Sequence, residues 1–282
     1  MPGFNTQDEI VNCIGNDLRQ GLIFQKQGPA SVSTGVPHSL WASSGIPVAG
    51  TNTTSGKANG RVCTSATTGA MPYGNPTAPA TMHLLDWWVW TWTSSFGAGH
   101  LILVDRIADC QIAHNEASGN FTGLDATSRL NAATAPGSGA MIWLEVTSGL
   151  SAGSNTLNFT YTNQLGTGSR VTPNFSTVAS TAAQKNPCGS VLWLPLQSGD
   201  TGVRSIESVT LVGGTATGNI NVCLVRPLAT LPVGDSQLVA EDFSRRLPNL
   251  ERLFDSSCLS FIWVPGTTAQ GPLTGIIGIG EN

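Results

Sequence analysis

HLLDWWVWTWTSSFGAGHLILVDRIADC, residues 83–110, sets two apolar runs on either side of a small-residue connection, TSSFGAG. In an extended chain, successive side chains point to opposite faces. Leu85, Trp87, Val89 and Thr91 then share one face of the first run, and Asp86, Trp88, Trp90 and Trp92 share the other. Half of the chain's 8 tryptophans stand in this one strand, on both of its faces. Apolar surface on that scale is rarely left in water. The ladder of Trp88, Trp90 and Trp92 fits a core, a stacking platform for sugars, or a subunit interface. We expect one face in the core and the other under the N-terminal segment or a partner.

Strand signals continue outward from this point. MIWLEVTS (141–148), TLNFTYTN (156–163), RVTPNFSTVA (170–179) and VLWLPLQ (191–197) are separated by glycine-rich turns. VRSIESVTLV (203–212), NINVCLVRPL (219–228) and LSFIWVP (259–265) complete the set. Alternation is clean in TLNFTYTN, where Leu157, Phe159 and Tyr161 face one way. Placing Ile206, Val209 and Leu211 on one face requires one bulge or a face switch. Short strands at this spacing predict a mainly β chain, a β-sandwich or jelly roll over residues 83–282, rather than α/β winding.

The flanks read differently. Thr6 and Glu9 have the spacing of a capping box, and Ile10, Val11, Ile14 and Leu18 follow at helical intervals. With Gly21 as the stop signal, this predicts an N-terminal helix of about 13 residues. Its single apolar stripe must dock, so Ile10, Ile14 and Leu18 join Trp87, Trp88, Trp90 and Trp92 as candidate interface residues. Residues 25–82 are rich in Gly, Pro, Ser, Thr, Ala and Asn, with Trp41, Ile46 and Val62 isolated among them. They read as an extended arm with short strands, lying on a neighbour, or as a flexible linker. Residues 1–82 thus form a helix-plus-arm unit ahead of the β domain. QLVAEDFSRRLPNLERLFD (237–255) reads as a helix broken by Pro248, and GPLTGIIGIGEN (271–282) as an apolar, glycine-rich tail.

Composition narrows the function classes. Only 11% of the 282 residues are charged, against roughly 25% in ordinary soluble domains. Burial of much of the surface in a permanent assembly would account for that. A net charge of −4, with no cluster of Lys or Arg, argues against nucleic-acid binding. No apolar run reaches the roughly 18 residues of a membrane span. MPGFNTQDEI lacks the basic and apolar regions of a secretory signal, so synthesis in a cytosol is expected. The 6 cysteines show neither C-x-x-C nor zinc spacing, and free, buried thiols are expected.

No catalytic constellation emerges. His38, His83, His100 and His114 form no H-E-x-x-H or H-x-H pattern, so no metal is expected. There is no nucleophile elbow; GTGSR (166–170) lacks the strand-turn-helix context. No phosphate-binding loop is present either. Asp86, Asp105, Asp109 and Glu116 could in principle flank a sugar, but Asp105 and Arg106 should point to opposite faces of a strand. The NFT and NFS triplets carry no weight without a signal peptide. The expectation is a non-enzyme with no cofactor.

NFTYTNQLGTGSRVTPN (158–174), LPLQSGDTGVRSIESVTL (194–211), CLVRPLATLPV (223–233) and RLPNLERLFDSSCLSFIWVPG (246–266) resemble stretches of a family of tailed-bacteriophage virion structural proteins. The resemblance spans about the last 130 residues and extends loosely to the tryptophan-rich centre; residues 25–82 depart from it. Its motifs are structural, so it implies no active site. It implies a part of the phage particle, with capsid decoration or cementing as the role. The implied partners are the major capsid protein and copies of the chain itself, as a homotrimer or homodimer, without nucleic acid or membrane. The alternatives are a major capsid, tail or collar component, a carbohydrate-binding module, and, third, a glycosidase. The usual tailed-phage major capsid fold has a long spine helix, and no helical period here is long enough for one.

Overall fold

The computed structural model describes the chain except for residues 1–2, 30–31, 92–97, 117, 131–136, 152–154, 178–188, 235–236, 248 and 269–270. Trp92, Cys188, Pro248 and the end of the 170–179 run lie outside the described residues. Helix α1 (Gln7–Gly15) is followed by β1 (Arg19–Gln27), β2 (His38–Ser39), β3 (Gly45–Ile46) and β4 (Arg61–Val62). Next come β5 (Met82–Thr91), β6 (Gly99–Ala113), β7 (Gly119–Asn120), a short α2 (Thr127–Leu130), β8 (Met141–Val146) and β9 (Asn155–Asn163). β10 (Arg170–Val171), β11 (Phe175–Thr177), β12 (Val191–Trp193), β13 (Val203–Gly213) and β14 (Asn219–Val233) lead to the C-terminal strands. These are β15 (Leu238–Asp242), β16 (Arg252–Leu253), β17 (Leu259–Pro265) and β18 (Pro272–Glu281).

The chain is mainly β and its sheets are antiparallel. The first sheet runs β15-β5-β18-β1-β3, with β16 also on β5. The second runs β12-β8-β14-β6-β17-β2, with β4 also on β6, and the third runs β10-β9-β13-β7, with β11 also on β9. The two runs that flank TSSFGAG therefore part company: β5 joins the first sheet and β6 the second. β1, drawn from the first 82 residues, sits between β18 and β3 in the same sheet as β5.

β6 and β14 are 15 residues each and are paired along their length, so they span two cores. At one end Leu101, Leu103 and Leu231 pack against Phe24, Trp87 and Ile277 of the first sheet. Phe261 stands at their centre, its ring centroid 4.4 Å from that of Phe24 and 6.3 Å from that of Trp87. At the other end Cys110, Ile112, Val222 and Leu144 pack against Leu157, Phe159 and Tyr161 of the third sheet. Two register slips reconcile the two ends, one at Ile107 in β6 and one at Leu228 in β14. The register of β6 and β14 slips between Leu224 and Val225, opposite Ala108 and Arg106. Odd-numbered Leu101 and Leu103 and even-numbered Ala108 and Cys110 can then serve the same face.

Several expectations meet the structure directly. β9 alternates buried and half-buried along its whole length, with Leu157, Phe159 and Tyr161 inward. β13 carries a register shift between Ile206 and Ser208, where the sequence demanded a bulge or a face switch. Thr6 Oγ accepts from Glu9 N at 3.3 Å and Glu9 Oε2 accepts from Thr6 N at 3.1 Å, closing the capping box. Other expectations need correction. The helix is 9 residues, not about 13; it stops at Gly15, and Leu18 lies outside it. Residues 237–255 do not form a helix: β15, a 3-10 turn over Phe243–Arg246 and β16 occupy the described part. There the backbone pairing that β5 offers overrides helical periodicity.

His38 on β2 is fully buried, and neither ring nitrogen has a hydrogen-bond partner among the described residues. Burial pulls its pKa down to about 4. The unfolded chain takes up a proton near the ordinary histidine value of about 6.5, and the folded chain refuses it until about 4. Stability is therefore present above that window and falls as pH drops through it, by up to about 3 kcal/mol from this residue alone. His83 and His114, lowered by the same burial, act in the same direction. Urea unfolding from pH 7 to 4.5 should show this decline, and His38→Gln should flatten it. An identical pH profile in that variant would remove His38 from the account.

Candidate interaction surface

The register places every residue on the outer face of the first sheet. One row across the sheet reads Ile23, Ile276, Trp88, Ala240 from β1 to β15. The next row reads Gly21, Gly278, Asp86, Asp242, and on the other side Gln25, Thr274, Trp90, Leu238 with Ile46 beyond Gln25. Ile23 is 63% exposed, Leu238 59%, Ile46 55% and Trp88 43%. These are large apolar side chains on a face that nothing in the described chain covers.

Helix α1 lies at one end of this face. Its inward residues Ile10 and Cys13 are buried beside Leu85. Gly280 makes the approach possible: a Cβ there would stand 2.5 Å from Leu85 Cδ1 and 2.8 Å from Cys13 Sγ. Burial pushes the Cys13 thiol up in pKa. One turn on from Ile10 and on the same flank, Ile14 is 53% exposed, and Val11, which does not line the sheet side, is 64% exposed. Between α1 and the Trp88 row runs a cleft of about 620 Å³, lined chiefly by Ile10, Ile14, Leu85, Trp88 and Ile276. Asp86 sits in it with its charge satisfied: Arg19 Nη2 donates to both carboxylate oxygens at 3.0 and 2.8 Å. Trp88 Nε1 donates to the same carboxylate at 3.0 Å, which fixes the indole. At the rim Glu241 pairs with Arg246 at 2.9 Å.

The candidate residues are thus divided. Trp88 and Ile14 reach the open face and Trp90 is half-buried on it. Trp87 is fully buried in the core beneath, and Ile10 is buried under α1. Leu18 is 40% exposed beyond the helix end, on the side of Phe4 and Glu281. Ile23, Ile46 and Leu238 were missed. Ile23 was hidden because Gly21 was read as a helix stop rather than as part of β1.

A second concentration of polar groups is sealed inside. Arg106 bridges Asp109 at 2.8 Å and Glu145 at 2.9 Å, and its guanidinium lies 4.6 Å from the centroid of the Trp41 ring. Arg61 pairs with Asp109 from the other side at 2.8 Å, so the set is neutral, and these cations hold Asp109 below its usual pKa. On the opposite face of β6, Asp105 accepts from Arg129, Ser257 Oγ and Cys258 N at 2.7, 2.7 and 2.9 Å. Asp105 and Arg106 do point to opposite faces. The space beside Arg106, Glu145 and Cys223 is about 10 Å³, room for about one water. Burial drives the Cys223 thiol well above its ordinary pKa, which suppresses the nucleophilic thiolate. Among the described residues there is no group of three or more side chains suited to a metal, and Cys13, Cys63, Cys110, Cys223 and Cys258 are free and buried. No helix among them is long and apolar enough to cross a membrane.

No family model matches the chain, and no curated protein does. Among solved structures it is weakly similar to a viral capsid protein, VP2 of infectious bursal disease virus. The VP2 subviral particle gives 7% identity over 94% of this chain and 81% of that one, with a TM-score of 0.19. The T=1 particles derived from the same virus give 10% identity over 94% and 78%, with a TM-score of 0.17. Superposition this loose carries no argument about fold or role.

Proposed function

We propose that this chain is a structural component of a tailed-phage virion, acting as a decoration or cement protein that binds and stabilises the major capsid lattice. The observation that carries the proposal is the uncovered apolar face of the first sheet, flanked by α1. Apolar patches beyond a few hundred Å² on a soluble chain mark association sites. Two further features support it. The polar clusters are internal, neutral and closed, as suits a scaffold and not a reaction centre. The first and third sheets each share a core with one long-stranded sheet, an arrangement we read as a sandwich-like body suited to tiling. The phage assignment rests on the sequence resemblance in the C-terminal half. The chain works without a cofactor, in the virion, and has no catalytic role.

The test is co-sedimentation of the purified chain with emptied phage heads stripped of accessory proteins. Saturable binding, with heads then resisting heat or low salt, is the expected result. Absence of binding to heads, together with binding to tails, would reassign the chain to a tail or collar part. A carbohydrate-binding module is the second reading, favoured by one observation: Trp88, its Nε1 donating to Asp86, lines a cleft. Quenching of its fluorescence by soluble glycans, with no head binding, would select that reading.

A further inference from the structure

We infer that the outer face of the first sheet is a twofold self-association surface, occupied by the same face of a second copy. This rests on the reading of the chain as an assembly protein and names one partner for that surface. Three features of the face carry it: its shape, its charge and its area.

The shape is self-complementary. Ile23, Ile276, Trp88 and Ala240 form a ridge across four strands. The neighbouring row has glycine at two of its four places, Gly21 and Gly278; the Asp86 carboxylate lies over Gly278 and lines the trough between Trp88 and α1. A twofold axis in the plane between two such faces, running along the rows, sets the ridge of each copy over the trough of the other. That is the condition for an isologous contact, in which one patch serves both subunits.

The charge permits it. A face carrying unpaired charge of one sign repels its own copy. Here Asp86 is neutralised by Arg19 and Glu241 by Arg246, all within one subunit, and exposed Asp242 stands on the edge strand β15, at the rim of the face, where solvent keeps its charge. A second copy therefore needs to bring no countercharge, and the ion pairs can be covered without leaving a lone charge.

The area suffices. Ile23, Ile46, Leu238, Trp88 and Ile14 are each between 43% and 63% exposed. At roughly 60 Å² for each half-exposed aliphatic chain and about 100 Å² for the indole, they offer on the order of 350 Å² of apolar surface. A stable interface takes about 800 Å² per partner, a little over half of it apolar. The face therefore supplies most of the apolar half of a standard interface, and tryptophan at its centre is the residue most often found as an anchor.

The experiment is analytical ultracentrifugation of the full chain at about 1–50 μM in reducing buffer, for the wild type, Trp88→Arg and Ile23→Arg. The subunit mass is 29.3 kDa. The expected result is a dimer that each substitution weakens by roughly 100-fold, with circular dichroism unchanged and with thermal unfolding unchanged at sub-micromolar concentration, where the subunits are apart. Ile23→Arg is the safeguard if Trp88→Arg does not fold, since Ile23 is the more exposed and lies on another strand. A wild-type monomer, a trimer, or a dimer indifferent to both substitutions overturns the inference. Head binding is measured separately. A monomer that binds heads through Trp88 overturns self-pairing and leaves the virion reading intact; a dimer that ignores heads does the reverse.

Discussion

Asp105→Ala is expected to lower folding stability by about 3–5 kcal/mol, the loss that follows when one partner of a buried ion pair is removed. Asp105 is fully buried and Arg129 is 2% exposed at the side chain. Arg129 Nη1 donates to Asp105 at 2.7 Å, and its other described acceptor is the carbonyl of Arg106 at 3.3 Å, which carries no charge. Ser257 Oγ and Cys258 N lose the same acceptor. Ser257 N is itself held by the Tyr73 hydroxyl at 2.7 Å, so the change reaches the loop that precedes β17. Asp105→Asn keeps the shape and part of the hydrogen bonding and should lose less. Asp105→Leu combined with Arg129→Met should recover most of the loss, because replacing a buried pair with apolar residues avoids leaving a charge alone. Urea unfolding of these proteins, with the single variants Asp105→Leu and Arg129→Met added to close the cycle, gives the coupling. A loss under about 1 kcal/mol for Asp105→Ala would mean that Arg129 reaches solvent and that the Asp105–Arg129 seam is not an ionic clamp.

The seam was beyond the reach of the sequence for a simple reason. Asp105 meets Arg129 and Ser257 across separations of 24 and 152 residues, and no local period encodes such a meeting. Local order was legible where burial alternates without interruption, as in β9, and where a strand is bounded by turns on both sides, as in LSFIWVP, which is β17 residue for residue. β1 was illegible for the opposite reason. Its inward positions are Leu22, Phe24 and Lys26 and its outward ones include Ile23, so polarity and direction disagree. Lys26 is 1% exposed and donates to the carbonyls of Ser43 and Val48, with burial bringing its pKa down to about 8. A lysine at an inward position erases the signature of the strand. β18 is hidden by its glycines: Gly275 stands at an inward position opposite Phe24, where a Cβ would come within 2.5 Å of the ring. The arm of residues 25–82 shows the same limit. Its residues have no periodicity of their own, yet Trp41 and Cys63 are fully buried, with Trp41 stacked over Arg106. The surface was half legible. The division of β5 into two faces follows from a period of two, but both faces offer tryptophan, so the choice of the inner one depends on what β18 and β17 bring to it.

That choice yields the sharpest contrast between adjacent residues. Trp87→Ala should lose about 3–5 kcal/mol, whereas Trp88→Ala should lose less than about 1 kcal/mol in the monomer. Trp87 is fully buried, stacks near Phe261 and joins the core shared by Ile277, Val89 and Leu103. Removing it opens a cavity at the point where the first and second sheets meet, in a region too densely paired to collapse. Trp87→Phe should lose much less, since the ring contact persists and the indole N–H, which has no partner among the described residues, is no longer buried. Trp88 has 43% of its surface in solvent, and its truncation leaves no cavity. Its loss should instead appear in self-association and nowhere in unfolding of the isolated subunit. Thermal and urea unfolding at sub-micromolar concentration, where subunits are apart, separates the two effects. Equal losses at both positions would show that the outer face is packed rather than open, and the argument for a partner on that face would then fail with it.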